Sequence, residues 1–291
     1  MNNLYICPIT LEINDFDVSI EIDTELFIRK ITEEERCVIF GCKIVERKLN
    51  DDGTSTIKTK PCPLTYLLYP EPTIEASGKP EILVLHYYKI LQTEYIIEST
   101  SQTKIEDLIN TLLIFKEGFI HAPYSFKKNS VALHHPLYLK QNIPHVLELK
   151  DIENIKNLYN RLSHSDNKTK VYVERYRRSL DINLNDRESY FQKVSLLESC
   201  LIEAKTELTF KFSLCLSSLL TNEIGHTLSF REAQKIYKTR SDIAHKGKSD
   251  KLTKKEYDLL RLYTREIIKW YILKGSPDKI LESVVHKKLN I

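Results

Sequence analysis

Four short polar patterns fix where helices begin in this chain, and they constrain its fold more than any other feature. In each, a Thr, Asn or Ser precedes a Glu by three residues, the spacing of a capping box that closes the first turn of a helix. The four pairs are Thr103 with Glu106, Asn185 with Glu188, Ser229 with Glu232, and Thr253 with Glu256. Three of them lie beyond residue 180, so we expect the C-terminal half of the chain to be helical.

The helix that follows Ser229 has a signal at each end. Gly247 comes directly after its last turn and can end the helix in the left-handed conformation. An apolar stripe runs along it at helical spacing, formed by Ala233, Ile236, Tyr237, Ile243 and Ala244. Arg240 falls inside this stripe. A guanidinium on the core-facing side of a helix is costly unless a carboxylate, a phosphate or a partner subunit satisfies it.

Other helices are predicted on both sides of this one. The patterns favour helices over 151–164, 170–180, 185–201 and 206–220, and a long amphipathic helix from Thr253 to Gly275. The segment 206–220 is strongly apolar, which predicts a central position. About five antiparallel helices joined by short turns indicate an all-α bundle.

The first hundred residues favour strands. Short β-rich runs recur, and Asn50-Asp51-Asp52-Gly53 separates two of them, which predicts a hairpin. Further strands are expected over 81–90 and 94–100, followed by a helix from Thr103 towards Gly118. The fold class is therefore α+β, with a β-rich N-terminal domain over 1–120, a connector over 121–150 and a helical domain over 151–291.

Charge is divided unevenly along the chain, whose net charge is +3. Residues 1–150 carry 16 Lys and Arg against 21 Asp and Glu, a net of −5, whereas residues 151–291 carry 27 against 19, a net of +8. A basic helical half suits a module that binds a polyanion. A lysine-rich surface that is merely solvated gives the same count.

Compartment is inferred from the cysteines and the N-terminus. The six cysteines form no C-x2-C pair, so we interpret them as reduced, mostly buried cytosolic thiols. The N-terminus lacks the pattern of a signal peptide, and no run of about 18 apolar residues predicts a membrane span. We expect a cytoplasmic protein without membrane contact.

Two further groups of residues admit a functional and an ordinary interpretation. Four histidines of the connector, His121, His134, His135 and His145, match no known pattern of metal ligands, so we expect structural or surface histidines and no metal or cofactor. Arg175, Arg177 and Arg178 form either a phosphate-facing cluster or a solvated helix face, and we favour the solvated face.

The last turns of the helix after Ser229 combine three chemistries. Arg240 is a fixed cation, His245 is a titratable imidazole and Asp242 is a carboxylate three residues before it. At about 100° per residue, His245 lies about 140° around the helix from Arg240. A histidine can move protons near neutral pH, and an arginine can neutralise charge that develops on phosphoryl oxygens. Asp242 either fixes the imidazole tautomer or faces solvent.

Three consecutive segments of the helical half resemble the ApeA-like group of HEPN domains. They are YFQKVSLLESCL (Tyr190–Leu201), TELTFKFSLCLSSLL (Thr206–Leu220) and IYKTRSDIAHKG (Ile236–Gly247). Arg240 to His245, R-S-D-I-A-H, fits the R-x4-6-H motif of HEPN domains. One departure stands in the middle helix, where relatives often carry an arginine and this chain has Cys215, which puts any role of that arginine in doubt here.

The resemblance implies a metal-independent endoribonuclease that acts as a toxin in bacterial antiphage defence. Its products would carry a 2′,3′-cyclic phosphate and a 5′-hydroxyl, with Arg240, His245 and Asp242 as the catalytic group. HEPN relatives typically form homodimers in which two motif helices face a shared cleft. The N-terminal domain would then sense a phage trigger or restrain the nuclease.

Lysines around the motif suit backbone-directed binding of RNA, tRNA included. They are Lys235, Lys238, Lys246, Lys248, Lys251, Lys254 and Lys255. We expect Lys238, Lys246 and Lys248 to contact the RNA. Glu198, which looks like a family-typical acid, is either the ion-pair partner of Arg240 or an ordinary surface glutamate.

Two other functions fit the same residues. A non-catalytic HEPN module would bind RNA or a partner protein, and an arginine–histidine pair with a purely structural role would stabilise the bundle. The intact pair of Arg240 and His245 favours the enzyme, because a binding module needs no titratable group at that place.

Overall fold

A computed structural model gives the protein as two compact units. It describes residues 4–13, 19–32, 34–35, 42–49, 55–61, 94–118, 120, 122, 124–127, 130–133, 145–181, 184–202, 206–248 and 252–276. The first unit comprises Met1–Glu106, Phe119–Pro136 and Pro144–Ile152, and the second comprises Asp107–Gly118, Leu137–Ile143 and Glu153–Ile291. This division differs from the predicted domain limits, because it falls within a helix that starts at Gln102.

The first unit is built on an antiparallel sheet of six strands among the residues described. Its order is β3 (Ile20–Asp23), β4 (Leu26–Lys30), β7 (Tyr95–Ser99), β1 (Tyr5–Ile9), β8 (Tyr124–Lys127) and β9 (Ser130–Leu133). β7 lies between β1 and β4, and Ile96 and Ile97 on this central strand are fully buried. Such apolar central strands are expected where both faces of a sheet are covered.

Two shorter pairings complete the strands of this unit. β5 (Cys42–Leu49) and β6 (Ser55–Pro61) pair antiparallel, which confirms the predicted hairpin, although its turn at 50–53 lies outside the described residues. β2 (Glu12–Ile13) pairs parallel with β10 (Val146–Leu147). The strand predicted over 81–90 also lies outside the described residues.

The range predicted as a connector contains two strands of the main sheet. β8 pairs antiparallel with β1, and β9 pairs antiparallel with β8. In sequence, Tyr124 and Phe126 alternate with polar residues and Val131 and Leu133 with small ones, which is the period of a strand. Prolines at three positions of 121–150 obscured this alternation.

Helices make up the described part of the second unit. They are α1 (Gln102–Phe115), which begins in the first unit, α2 (Ile152–Ser163), α3 (Asn167–Arg178), α4 (Asp186–Leu201), α5 (Leu208–Ser218), α6 (Phe230–Lys246) and α7 (Lys254–Lys274), with a π-helical stretch over Leu219–Ile224. This arrangement confirms the predicted α+β class, with strands in the N-terminal part and helices in the C-terminal part. In the part of the chain that the structure describes, no helix is both long and apolar enough to cross a membrane.

Three of the four predicted capping boxes are present. Asn185, Ser229 and Thr253 each accept a hydrogen bond from the backbone N–H three residues on, and the glutamate at that position accepts one from the cap residue. The fourth prediction is wrong by two residues, because α1 begins at Gln102, so Ser101 precedes the helix and Thr103 lies inside its first turn. Gly247 ends α6 with a φ of 67°, in the left-handed region as predicted.

Two apolar clusters hold the helices of the second unit together. The first joins α4, α5, α6 and α7 through residues that include Tyr190, Val194, Phe212, Leu216, Tyr237 and Ile267. The second joins α2, α3, α4 and α7 with the end of α1 through residues that include Ile114, Leu158, Tyr172, Leu196 and Ile268. α5 is buried over most of its length, which confirms its predicted central position.

Candidate functional site

The site is organised by α6, which lies against α4 and α5. Ala233, Tyr237 and Ile243 are buried in the first apolar cluster, so one side of α6 is fixed to the core. The hydroxyl of Tyr190 on α4 donates to the backbone carbonyl of Ile236 at 3.3 Å. Ala244 is exposed, so the predicted stripe ends at Ile243 on the core side.

Arg240 leaves α6 on the side that faces α4. Its Nη2 lies 3.4 Å from Oε2 of Glu198, and the two side chains are 24% and 21% exposed. Of the two interpretations of Glu198, the structure therefore supports the ion-pair partner. This ion pair explains how a guanidinium is accommodated beside an apolar stripe, because a largely buried charge requires a partner.

Two aromatic rings also contact the Arg240 guanidinium. Its Cζ lies 5.0 Å from the ring centroid of Phe191 and 5.8 Å from that of Tyr237. Both separations are within the range of cation–π attraction. Among the described residues, however, the buried Nε of Arg240 has no hydrogen-bond partner. Glu198 and the two rings thus hold the guanidinium in place, and its Nε is a buried donor.

Tyr237 links the aromatic contact to the carboxylate. Its hydroxyl donates to Oε1 of Glu198 at 3.4 Å, while Oε2 faces Arg240. Burial first, and the negative charge of Glu198 second, raise the pKa of Tyr237, and Arg240 opposes this rise. The phenol therefore stays protonated at neutral pH and remains a donor to Glu198.

His245 lies in the last turn of α6 and is exposed. Within the described part of the chain, the imidazole has no hydrogen bond or ion pair with another side chain. Five residues separate it from Arg240, which corresponds to about 7.5 Å along the axis and about 140° around it. The two motif side chains therefore leave α6 on different flanks.

Asp242 pairs with a lysine of its own helix. Its Oδ1 accepts a hydrogen bond from Nζ of Lys246 at 2.8 Å, an i,i+4 pair. This pair partly neutralises Lys246, which was predicted to contact RNA. Neither of the two interpretations of Asp242, a carboxylate that fixes the His245 tautomer or one that faces solvent, included this ion pair.

The remaining lysines differ in how far they are engaged. Lys235 forms an ion pair with Glu256 at the start of α7. Lys238 and Lys248 are exposed, and no ion pair engages either of them within the described residues. Lys251 lies outside the described residues. Of the three lysines predicted to contact RNA, Lys246 is paired with Asp242, whereas Lys238 and Lys248 form no ion pair within the described residues.

Three contributors were missed in the sequence. Sequence patterns place Tyr237 in an apolar stripe and indicate no role for Phe191, yet both rings contact Arg240. Arg187 at the start of α4 donates from Nη1 to the carbonyl of Gly247 at 3.4 Å. Helical spacing indicated that Phe191 and Glu198 share a face of α4, but nothing in the sequence linked Arg187 to a residue 60 positions away.

Cys215 occupies a buried position in the first apolar cluster. The middle helix thus contributes a small apolar side chain at the point where the resemblance implied an arginine. Cys7, Cys200 and Cys215 are buried thiols outside any disulfide, as expected for those three residues.

Among the residues described, no three His, Cys, Asp or Glu side chains are grouped so as to hold a metal ion. His121, His134 and His135 lie outside that part of the chain, and His145 is buried. Arg175 donates to Ser199 and Arg178 to Glu174, so two of the α3 arginines bond within the helical unit.

Comparison with known proteins adds no assignment to this geometry. No family model, no curated protein and no solved structure matches the chain. The class that fold and site define is therefore an α+β protein whose helical unit carries a held arginine and an exposed histidine on one capped helix.

Proposed function

We propose that the helical unit is a HEPN endoribonuclease that cleaves RNA without a metal ion. The observation that carries this proposal is the contrast between the two motif side chains on α6. Arg240 is held by Glu198 and two rings, whereas His245 is exposed and unbonded among the described residues. An arginine fixed for charge stabilisation and an imidazole open to substrate are the two parts that this chemistry requires.

In the proposed reaction, the ribose 2′-hydroxyl attacks the adjacent phosphorus and the 5′-oxygen leaves. His245 accepts the proton of the 2′-hydroxyl as a general base and delivers a proton to the departing 5′-oxygen as a general acid. Arg240 stabilises the charge that grows on the phosphoryl oxygens. The products are a 2′,3′-cyclic phosphate and a 5′-hydroxyl, with no metal in the step.

One copy of α6 places these groups on different flanks, so we propose a homodimer with a composite site. A two-fold interface brings two copies of α6 to one cleft, where the Arg240 of one copy is near the His245 of the other. The exposed Ala244, between the two motif positions, supplies a small side chain that allows close approach of helices. We further propose that this nuclease serves antiphage defence in the cytoplasm, with the N-terminal unit sensing the trigger.

A second candidate, a non-catalytic module that binds RNA or a partner protein, is favoured by one observation. Arg240 is held within the unit by Glu198, Phe191 and Tyr237, so the exposed cations Lys238 and Lys248 can bind RNA with no catalytic part for Arg240. The two candidates differ in whether the imidazole of His245 is needed for anything beyond charge.

The deciding experiment compares RNA cleavage by three full-length proteins in excess EDTA. Total RNA and tRNA are incubated with wild type, with His245→Ala and with the matched control His164→Ala. His164 is an exposed histidine of the same unit, at the end of α2. We expect cleavage by wild type and by the control, and a loss of about 10²- to 10⁴-fold in His245→Ala. Equal cleavage by all three, or a strict need for added metal, would be incompatible with this mechanism.

A further inference from the structure

The end of α6 that carries His245 contacts an arginine from another helix. Arg187 is exposed in the first turn of α4, and its Nη1 donates to the carbonyl of Gly247 at 3.4 Å. Gly247 ends α6 and lies two residues after His245. The guanidinium is thereby placed at the helix end where His245 is exposed.

The cap at the start of α4 fixes the backbone position of Arg187. The side chain of Asn185 accepts from the backbone N–H of Arg187 and of Glu188, each at 3.0 Å, and Glu188 accepts from the backbone N–H of Asn185. The Glu188 carboxylate therefore takes part in the helix cap, although it is next to Arg187 in the sequence. The backbone of Arg187 is therefore fixed, while its side chain projects across to α6.

Arg187 has donors to spare. A guanidinium carries five N–H donors, and the bond to Gly247 uses one of them at a distance near the upper limit for a hydrogen bond. Within the described residues no carboxylate pairs with it. Its planar fork matches two oxygens of a phosphate better than the point charge of a lysine does.

A phosphate at the C-terminal end of α6 requires a nearby cation such as Arg187. The C-terminus of a helix carries about half a negative charge, which repels phosphate. Lys246, the nearest cation on α6 itself, is paired with Asp242 at 2.8 Å. Arg187 supplies the opposing charge from α4, together with Lys248, which forms no ion pair within the described residues.

We propose that Arg187 binds a phosphate of the RNA backbone next to the nucleotide presented to His245. This rests on the proposed function, and it makes α4 part of the RNA-binding surface. Arg187, Lys248 and Lys238 then form the cationic set that guides the strand, in place of the predicted set that included Lys246. Arg187 is a binding residue here, with no part in proton transfer.

The test measures how salt weakens the binding of a probe that cannot be cleaved. The probe is a fluorescein-labelled single-stranded 2′-O-methyl RNA of mixed sequence, which lacks the attacking hydroxyl. Full-length wild type, Arg187→Gln, Arg187→Lys and the control Arg161→Gln are titrated at several salt concentrations. Arg161 is an exposed arginine of α2, a helix that belongs to the other apolar cluster.

We expect the slope of log affinity against log salt to fall by about 0.7 in Arg187→Gln, the amount for one phosphate contact to a single strand. Arg187→Lys and Arg161→Gln should keep the slope of wild type. An Arg187→Gln protein with the wild-type slope would overturn the inference. A lower melting temperature would not rescue it, because an arginine that only caps the end of α6 at Gly247 also stabilises the fold without any contact to RNA.

The same experiment separates this inference from the proposed function. If wild type cleaves ordinary RNA while Arg187→Gln retains the full salt slope, only the role of Arg187 is wrong. If wild type shows no salt-dependent binding of the probe, the inference and the RNA-binding part of the proposed function both fail.

Discussion

Removing the ion pair between Arg240 and Glu198 should destabilise the helical unit by an amount that the geometry sets. At 3.4 Å and an effective dielectric constant of about 20, the Coulomb attraction alone is about 5 kcal/mol. Both groups are about four-fifths buried, and their desolvation offsets most of that energy. We therefore expect a net coupling of about 1–2 kcal/mol between the two side chains.

A double-mutant cycle measures this coupling. Glu198→Gln keeps the shape of the side chain and an acceptor for Tyr237, while Arg240→Met keeps the apolar stem. The chain has a single tryptophan, Trp270, which packs against the same apolar cluster as α6, so its fluorescence reports unfolding of this unit in urea. The sum of the single effects should exceed the double effect by about 1–2 kcal/mol.

An exposed ion pair in the same unit is the matched control. Arg178 and Glu174 on α3 form an i,i+4 pair at 2.9 Å, with side chains 73% and 39% exposed. Its coupling should be about 0.3–0.5 kcal/mol. If the Arg240 cycle gives no more than the control, Glu198 does not hold the guanidinium and the account of Arg240 is refuted.

Further predictions concern the cap of α6 and the dimer. Ser229→Ala should destabilise the unit by about 1 kcal/mol, measured by Trp270 fluorescence in urea. The hydroxyl of Ser229 and its backbone N–H lower the pKa of Glu232, so the carboxylate's share of the cap is present above the ordinary glutamate pKa and is lost as pH falls through the folded-state pKa. The effect of Ser229→Ala should accordingly be smaller at about pH 3 than at about pH 7, and an effect that is independent of pH would contradict the capping box. Ala244→Glu should shift a dimer to monomer in light scattering of the full chain, because it buries two like charges at the proposed interface; an unchanged mass would place the interface elsewhere.

Local sequence patterns predicted much of the secondary structure. Three capping boxes and the glycine after α6 set helix ends correctly, because the groups that satisfy a helix terminus lie within a few residues of it. The alternation in β8 and β9 was also readable, but prolines nearby led to the prediction of a connector. Sheet order was outside the reach of the sequence, because β7 reaches its place between β1 and β4 only by pairing over long separations.

For the candidate site too, features within one helix could be predicted and contacts between helices could not. The sequence identified Arg240, His245 and their separation around one helix, since these follow from helix geometry. It left Glu198 open between two roles, and it missed the contacts of Arg240 with Phe191 and of Arg187 with Gly247. Each of these joins α4 to α6, and such a contact depends on the packing of two helices that no local pattern specifies.

The most direct test of the central claim is the chemistry of the cut ends. RNA fragments produced by the full-length wild type in EDTA are analysed by mass spectrometry for the groups at their 3′ and 5′ termini. Transfer of the 2′-hydroxyl proton by His245 predicts 2′,3′-cyclic phosphate and 5′-hydroxyl ends, formed about 10²- to 10⁴-fold more slowly by His245→Ala. Fragments with 3′-hydroxyl and 5′-phosphate ends, or cyclic ends formed by His245→Ala at the wild-type rate, would contradict it.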